Sequence, residues 1–150
     1  MPAASVSIDI HAAPEVVFDL IHDYSRRLEW DPFLREAYLL NNAKTADLGV
    51  SSRCIARWTV GGSAMDTIYV SYTRPSVAAV RMTRGPILFR SFAATIRQDR
   101  TDDNTTRVTY RYNFISRPRW LAFVIEPIVQ LVFHRETSRR LTALKKFVEA

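Results

Sequence analysis

The stretch that decides the fold runs over residues 5–40 and reads SVSIDIHAAPEVVFDLIHDYSRRLEWDPFLREAYLL. Apolar and polar residues alternate over residues 5–10, which predicts a half-buried β-strand. Pro14 suits the first turn of an α-helix, because an N–H at that position has no partner within the helix. A short second helix is predicted at residues 25–30. Pro32 ends it, since the residue before a proline avoids the helical conformation.

The middle of the chain is rich in predicted strands. Turn-forming pairs such as Asn41-Asn42 and Gly85-Pro86 separate segments of high β-propensity. This spacing is typical of antiparallel strands joined by short turns. Six further strands are predicted, at residues 34–41, 51–60, 63–73, 77–84, 88–98 and 105–115. A long helix follows at residues 119–148, and Pro127 is expected to kink it or to split it in two.

Length and composition suit one globular domain over residues 1–150, with 47% hydrophobic and 24% charged residues. Cys54 is the single cysteine, which excludes an intrachain disulfide and a cysteine-rich metal site. The three histidines lack metal-ligand spacing and no glycine-rich phosphate loop occurs, so we expect neither a metal nor a cofactor. No secretory signal is recognisable at the N-terminus, and a cytoplasmic location is expected.

The positive charge of the chain lies in its second half. Residues 1–75 contain seven Lys/Arg and nine Asp/Glu, whereas residues 76–150 contain fourteen and six. Such asymmetry suits a nucleic-acid or anionic-membrane surface, or simply a solvated basic face. The arginines are spread along the predicted strands without a basic block, so no specific nucleic-acid binding is predicted. A buried helix is favoured for the apolar start of the last helix, with a membrane-surface helix or a dimer helix as the alternatives, and both a monomer and a homodimer stay open.

Gly61-Gly62 predicts a two-residue hairpin turn, which sets the register of the strands on either side. In that register Trp58 lies opposite Met65, and Arg57 lies opposite Asp66. Opposite charges across a strand pair support this alignment and mark the solvent face. The other face is predicted to point inward and consists of Cys54, Ala56, Trp58, Met65, Thr67 and Tyr69.

The last strand has a clear alternation that places Tyr110 and Tyr112 on its inward face. Buried tyrosine hydroxyls seek hydrogen-bond partners, so these two residues predict polar groups within an apolar enclosure. Such groups orient a mostly hydrophobic ligand in a cavity. Plain packing, with the hydroxyls bonded to the backbone, is the alternative. Four residues of the last helix are predicted to close the cavity: Trp120, Phe123, Val124 and Ile128.

Arg81 has two predicted positions. A three-residue turn at 74–76 places Tyr69 opposite Arg81 and brings the arginine into the cavity, which would imply a carboxylate or phosphate on the ligand. A longer turn places Ala78, Val80 and Met82 inward instead. The second alternative is favoured, because it avoids burying an unpaired charge.

Few other side chains suggest chemistry. Glu126, next to Pro127 in an apolar helix, is a candidate for a raised pKa and for a general acid or ligand anchor if it faces the cavity; an arginine partner or solvent is favoured. His22 is expected on the surface at the end of the first helix. Asp31 is expected to cap or solvate the end of the second helix. No Ser-His-Asp or Cys-His frame is recognisable, so the catalytic residues are unassigned.

The residues at 5–40 resemble the opening of the polyketide cyclase/dehydrase group of START-like (SRPBCC) proteins. The resemblance depends on Ile8, Ile10, Ala13-Pro14, Asp23-Tyr24, Trp30 and Pro32. It implies a helix-grip α+β fold, with about seven antiparallel strands wrapped around a long C-terminal helix and two short helices after strand 1. It also implies a cavity between sheet and helix. The superfamily includes carriers, receptors and enzymes, so the fold alone does not assign an activity.

The predicted function is binding, with or without transport, of a hydrophobic small molecule or lipid in that cavity. The first alternative is an enzyme of the cyclase, aromatase or dehydratase type without a metal, in which Tyr110, Tyr112, Arg81 or Glu126 transfers protons or stabilises an enolate. The second is an interaction module that uses the basic second half.

Overall fold

The computed structural model describes residues 3–102 and 104–150, in which seven strands form one antiparallel sheet beside a long C-terminal helix. Residues 1, 2 and 103 lie outside this part, and one domain over 1–150 stays a prediction. In chain order the elements are β1 (Ala3–Ile10), α1 (Pro14–Ile21), α2 (Arg27–Trp30), β2 (Leu34–Leu39), β3 (Ser51–Ala56), β4 (Ala64–Thr73), β5 (Val77–Arg84), β6 (Phe89–Asp102), β7 (Thr105–Ser116) and α3 (Ala122–Glu149). Short 3₁₀ turns occur at Trp58–Val60 and Arg119–Leu121.

The strand order in the sheet is β1-β7-β6-β5-β4-β3-β2. From β2 to β7, strands that are consecutive in sequence pair with each other, and β1 pairs with β7, which joins the first strand to the last. Val6 lies opposite Tyr110 in this pair. The two short helices carry the chain from β1 at one edge to β2 at the other. This arrangement confirms the predicted helix-grip α+β fold.

The main core lies where α1 and the end of α3 pack on the sheet. Ile10 of β1, Val17 of α1 and Val108 of β7 are fully buried there, together with Leu144 of α3. The alternation in β1 explains this burial, because one face of the strand is apolar. Pro14 is the first residue of α1, as its missing N–H predicts.

The predicted register between β3 and β4 is wrong by four residues. Cys54 lies opposite Met65, and Arg53, not Arg57, lies opposite Asp66. The loop is longer than two residues, because Trp58–Val60 forms a 3₁₀ turn and Gly61 adopts a left-handed conformation with φ of 106°. A slip by an even number of residues keeps the same face inward. The inward face is therefore as predicted, except for Trp58.

The β4–β5 pair matches neither predicted alternative. Thr73 lies opposite Val77, as the three-residue turn requires, but an irregularity between Tyr69 and Ser71 places Tyr69 opposite Val80. A β-bulge of this kind adds one residue to one strand and reverses the facing of everything beyond it. Arg81 is consequently exposed, and Ala78 and Val80 line the cavity, which is the facing that the favoured alternative predicts.

The last helix is continuous from Ala122 to Glu149, so the prediction that Pro127 splits it in two is wrong. Pro127 lies in the second turn of α3, where loss of one N–H leaves the remaining bonds of a 28-residue helix in place. No helix in the described ranges is both long and apolar enough to cross a membrane.

Candidate functional site

A cavity of about 520 Å³ lies between the inner face of the sheet and α3. Its volume falls within the range of roughly 300–1,000 Å³ that is usual for small-molecule sites. Strands β3 to β7 provide the largest share of the wall, and α3 covers it. Most of the lining is apolar, and these residues include Leu34, Ala56, Met65, Ala78, Val80, Leu88, Phe89, Phe92, Ala94, Ile96, Val129 and Phe133.

One part of the wall, which we call the polar end, consists of His22, Tyr24, Arg27, Tyr69 and Arg140. A distance of 2.7 Å separates Nδ1 of His22 from the hydroxyl of Tyr69, which lies 3.2 Å from the hydroxyl of Tyr24. These contacts form a hydrogen-bonded chain along the wall. Nε2 of His22 is buried without a hydrogen-bond partner among the described residues.

Burial keeps the groups of this chain uncharged. Desolvation, aided by the positive charge of Arg27, lowers the pKa of His22 to about 3. Desolvation also raises the pKa values of Tyr24 and Tyr69. The imidazole and both phenols are therefore neutral at neutral pH, and they act on a ligand as hydrogen-bonding groups and not as charges.

Two arginines of the polar end share one carboxylate. Arg27 donates from Nε to Oδ2 of Asp31 at 2.9 Å, and Arg140 donates to the same oxygen from Nε at 3.1 Å and from Nη2 at 2.9 Å. Oδ1 of Asp31 accepts the backbone N–H of Phe33. Although desolvation opposes ionisation, the two guanidiniums outweigh it and hold the pKa of Asp31 below its ordinary value. This ion cluster ties α2 to α3.

The opposite part of the wall is apolar and open. We call it the apolar mouth, and it consists of Ile87 in the β5–β6 loop and Ile128 and Val132 on α3. Ile87 is 88% exposed and Ile128 is 59% exposed, although both line the cavity. The apolar lining is therefore exposed to solvent at the β5–β6 loop and at the first half of α3.

The structure places four of the predicted ligand-binding residues in the cavity wall: Met65, Tyr69, Tyr110 and Ile128. Tyr112 is fully buried as predicted, but it packs among Phe92, Phe114 and Phe133 and does not line the cavity. Its hydroxyl donates weakly to the carbonyl of Gln130 at 3.4 Å. Plain packing thus describes Tyr112, and cavity lining describes Tyr110.

Four residues predicted to line the cavity lie outside it. Trp58 is 74% exposed because it belongs to the 3₁₀ turn, where it packs under the guanidinium of Arg35. Trp120, Phe123 and Val124 point to solvent, since the face of α3 that meets the sheet begins at Ala122. The favoured burial of this apolar segment is therefore wrong, because most of its large apolar side chains are exposed.

Neither predicted polar anchor lies in the cavity. Arg81 is exposed, because the bulge in β4 turns it outward. Glu126 faces Ser116 and Arg119, and accepts from the Ser116 N–H and hydroxyl and from the guanidinium. Desolvation raises its pKa, but these three donors together lower it below the ordinary value. The condition for a raised pKa, a position facing the cavity, is therefore not met, and the favoured arginine partner is present.

Sequence reasoning missed most of the polar end. His22 and Asp31 were expected near solvent, yet they are 6% and 3% exposed. The i, i+4 spacing of Arg27 and Asp31 on a helix is the local signal that could have revealed their pairing. Arg140 comes from more than a hundred residues away, and no local pattern could have indicated it. No group of acidic, histidine or cysteine side chains suited to a metal occurs in the described ranges.

Comparison with solved structures finds the same fold. The aromatase/cyclase ZhuI from Streptomyces sp. R1128 superposes with a TM-score of 0.82 at 13% identity, covering 99% of this chain and 93% of that one. A START superfamily protein from Mycobacterium smegmatis gives 0.80 at 14% identity, covering 98% and 97%. Norcoclaurine synthase from Thalictrum flavum, as a point mutant with a transition-state analogue, gives 0.73 at 11%, covering 98% and 93%.

These identities are low enough that the likeness shows the fold alone. Comparison with curated protein sequences gives no significant match. The family model described as "Polyketide cyclase / dehydrase and lipid transport" matches residues 1–149, which is nearly the whole chain. The chain therefore belongs to the polyketide cyclase/dehydrase and lipid transport family.

Proposed function

We propose that this protein binds a mostly apolar small molecule or lipid in the cavity between sheet and α3. The observation that carries the proposal is the cavity itself, which is large, mostly apolar in its lining and open at one side. A buried apolar surface of this kind favours apolar ligands, because their transfer from water is favourable. The family description, which includes lipid transport, supports the same function.

Blocking the cavity tests this proposal. Ala94 lines the cavity at 5% exposure, while its neighbour Ala93 lies on the opposite face of β6. Ala94→Phe should fill the space and abolish uptake of the neutral fluorophore N-phenyl-1-naphthylamine, whereas Ala93→Phe should leave uptake unchanged. Native mass spectrometry of freshly purified wild type should also show a co-purifying apolar compound. Absence of both uptake and bound mass in the wild type would refute the proposal.

An enzyme is the second candidate, and the chain from His22 through Tyr69 to Tyr24 is the observation that favours it. A neutral phenol in a buried wall can donate a hydrogen bond to a carbonyl oxygen and stabilise an enolate. The pKa of His22, about 3, opposes its use as a proton acceptor at neutral pH. The binding function is therefore preferred.

Hydrogen exchange of a ketone separates the two candidates. An enzyme of this type should accelerate deuterium uptake at the α-carbons of 2-tetralone in D₂O, followed by NMR. Tyr24→Phe and Tyr69→Phe should abolish the acceleration while binding persists. If wild-type protein does not accelerate the exchange, the enzyme candidate is refuted and only the binding function remains.

A further inference from the structure

The polar end carries more positive than negative charge. Two guanidiniums, those of Arg27 and Arg140, share the single carboxylate of Asp31. Arg27 is 7% exposed, and the Arg140 side chain is 12% exposed. Together the three groups leave a net charge of +1 in a buried wall. An unbalanced buried charge is costly unless another charged group compensates for it.

The nearest acid on α3 does not supply that compensation. Glu136 is buried and already lies between two other arginines, accepting from Arg57 at 2.8 Å and from Arg139 at 3.3 Å. The other titratable groups that line the polar end, His22, Tyr24 and Tyr69, are neutral for the reasons given above. The excess charge at Arg27 and Arg140 is therefore a local property of the cavity wall.

Both arginines also keep donor capacity. Arg27 uses Nε for Asp31 and Nη1 for the carbonyl of Ile21, and Arg140 uses Nε and Nη2 for Asp31. Within the described ranges, no acceptor is found for Nη2 of Arg27 or Nη1 of Arg140, and both side chains line the cavity. An oxyanion is the acceptor that two such guanidiniums prefer.

We propose that the ligand carries one oxyanionic group, such as a carboxylate, sulfonate or phosphate, on an apolar body, and that Arg27 and Arg140 bind this group. The inference rests on the proposed function and adds the ligand's charge to it. The apolar body would occupy the cavity between the polar end and the apolar mouth. Binding would then supply the negative charge that Asp31 alone does not.

Two fluorophores with one scaffold test the charge separately from the cavity. 8-Anilinonaphthalene-1-sulfonate carries a sulfonate, and N-phenyl-1-naphthylamine has the same ring system without it. A charge-assisted contact with buried arginines should make the sulfonate bind wild type about tenfold or more tightly, measured by fluorescence and calorimetry. Equal affinities in wild type would overturn the proposal.

Substitution of either arginine should remove the preference. Arg27→Met and Arg140→Met each leave one arginine paired with Asp31, so neither variant leaves a buried charge without a partner. Both should bind the neutral probe normally and the sulfonate no better, whereas Arg140→Lys should retain part of the preference. Arg81→Met, at an exposed position, is the control and should behave as wild type. A preference that persists in both methionine variants would overturn the proposal. Failure of wild type to bind either probe would instead refute the binding function itself.

A second inference comes from the outer face of α3, independently of the cavity charges. From residue 120 to residue 132 the exposed side chains are apolar, with exposed fractions from 44% to 77%. They are Trp120, Phe123, Val124, Ile128, Leu131 and Val132. We call this surface the outer apolar face. Ile128 and Val132 also belong to the apolar mouth, so the face is continuous with the cavity opening.

The charges around this face are positive. Arg119 at its start pairs with Glu126 at 2.8 Å, so these two charges cancel and the excess charge comes from other arginines near the mouth and the start of α3. Exposed Arg84 and Arg90 flank Ile87 of the mouth, and exposed Arg117 precedes α3. An apolar helix face bordered by tryptophan and arginine is typical of a segment that lies in the interface of an anionic bilayer.

We infer that the outer apolar face docks onto an anionic membrane surface, with the cavity opening towards the lipid. Wild type should co-sediment with vesicles of phosphatidylcholine containing 30% phosphatidylglycerol and much less with pure phosphatidylcholine. Leu131→Ser and Ile128→Ser should each weaken sedimentation severalfold. Leu48→Ser, at a residue 63% exposed elsewhere on the surface, should leave it unchanged.

Two outcomes would overturn this inference. One is equal sedimentation of wild type and the Leu131→Ser variant. The other is a wild-type dimer in analytical ultracentrifugation that Leu131→Ser converts to a monomer without any vesicle binding, because a second copy would then cover the face.

Discussion

The two halves of α3 have opposite surroundings. Residues 122–132 leave most of their apolar side chains in solvent, whereas Leu141 and Leu144 are buried against β1 and β7. The second half also delivers Arg140 to the polar end, while the first half supplies the apolar mouth. One continuous helix thus anchors itself at its end and forms an opening at its start. Hydrophobicity alone therefore does not show which half of α3 packs against the sheet, because the more apolar half is the exposed one.

The largest expected effect concerns the ion cluster that attaches the second half to α2. Asp31→Asn leaves Arg27 and Arg140 buried without a carboxylate, so we expect a loss of about 3–5 kcal/mol in the free energy of unfolding, measured in urea. Arg140→Met is the matched control, because it leaves a balanced Arg27–Asp31 pair, and it should cost clearly less. Equal losses in the two variants would contradict the charge-balance account.

The same cluster predicts sensitivity to acid. The pKa of Asp31 is lower in the folded protein than in the unfolded chain, so its stabilisation is complete above about pH 4 and is lost as the pH falls below that value. Asp31→Asn should lack this part of the acid dependence. Urea titrations between pH 5 and pH 2 measure it.

A matched pair of leucines compares the two halves directly. Leu144 is fully buried and Leu131 is 70% exposed. Leu144→Ala should lower the free energy of unfolding by about 2–5 kcal/mol, because it removes buried methyl groups and leaves a cavity. Leu131→Ala should change it by at most about 0.5 kcal/mol. A large loss at Leu131 would mean that the first half is covered in solution.

A pH titration of His22 tests whether water is excluded from the polar end. The pKa of His22 is about 3 in the folded protein, against about 6.5 in an unfolded chain, so the unfolded state binds the extra proton below pH 6.5. Stability should therefore fall with decreasing pH, by about 2 kcal/mol between pH 7 and pH 5 from this group. His22→Asn keeps a polar atom near Tyr69 and should lack this dependence. An NMR spectrum that shows His22 protonated at pH 5 in the folded protein would refute the lowered pKa.

The smallest contrast concerns two tyrosines. Tyr69→Phe removes a 2.7 Å hydrogen bond to buried His22 and should cost about 1–2 kcal/mol in the free energy of unfolding. Tyr112→Phe removes only a 3.4 Å contact to a carbonyl of the first half and should cost less than about 0.5 kcal/mol. Thermal and urea unfolding of both variants measure the difference. A greater loss at Tyr112 would reverse their relative importance.

Local pattern was enough to predict the elements and the inward faces. The alternation in β1 and β7, the proline at the start of α1 and the turn residues between strands are properties of neighbouring residues, so they can be read along the chain. The facing of Met65, Tyr69 and Tyr110 followed from the same period of two. The number of residues in each loop could not be predicted from this period, because the 3₁₀ turn at Trp58–Val60 and the bulge after Tyr69 depend on packing.

By itself, the sequence determined the elements and their apolar inward faces, since periodicity and turn chemistry act over a few residues, and the family resemblance of residues 5–40 implied the helix-grip fold. Only the tertiary structure decided the charged part of the cavity wall. It places Trp58 and Arg81 outside the cavity. It also brings Arg27, Asp31 and Arg140 together, although six strands lie between α2 and α3 along the chain. Buried charges select their partners by proximity in space and by exclusion of water, and neither property is written in the spacing of residues along the chain.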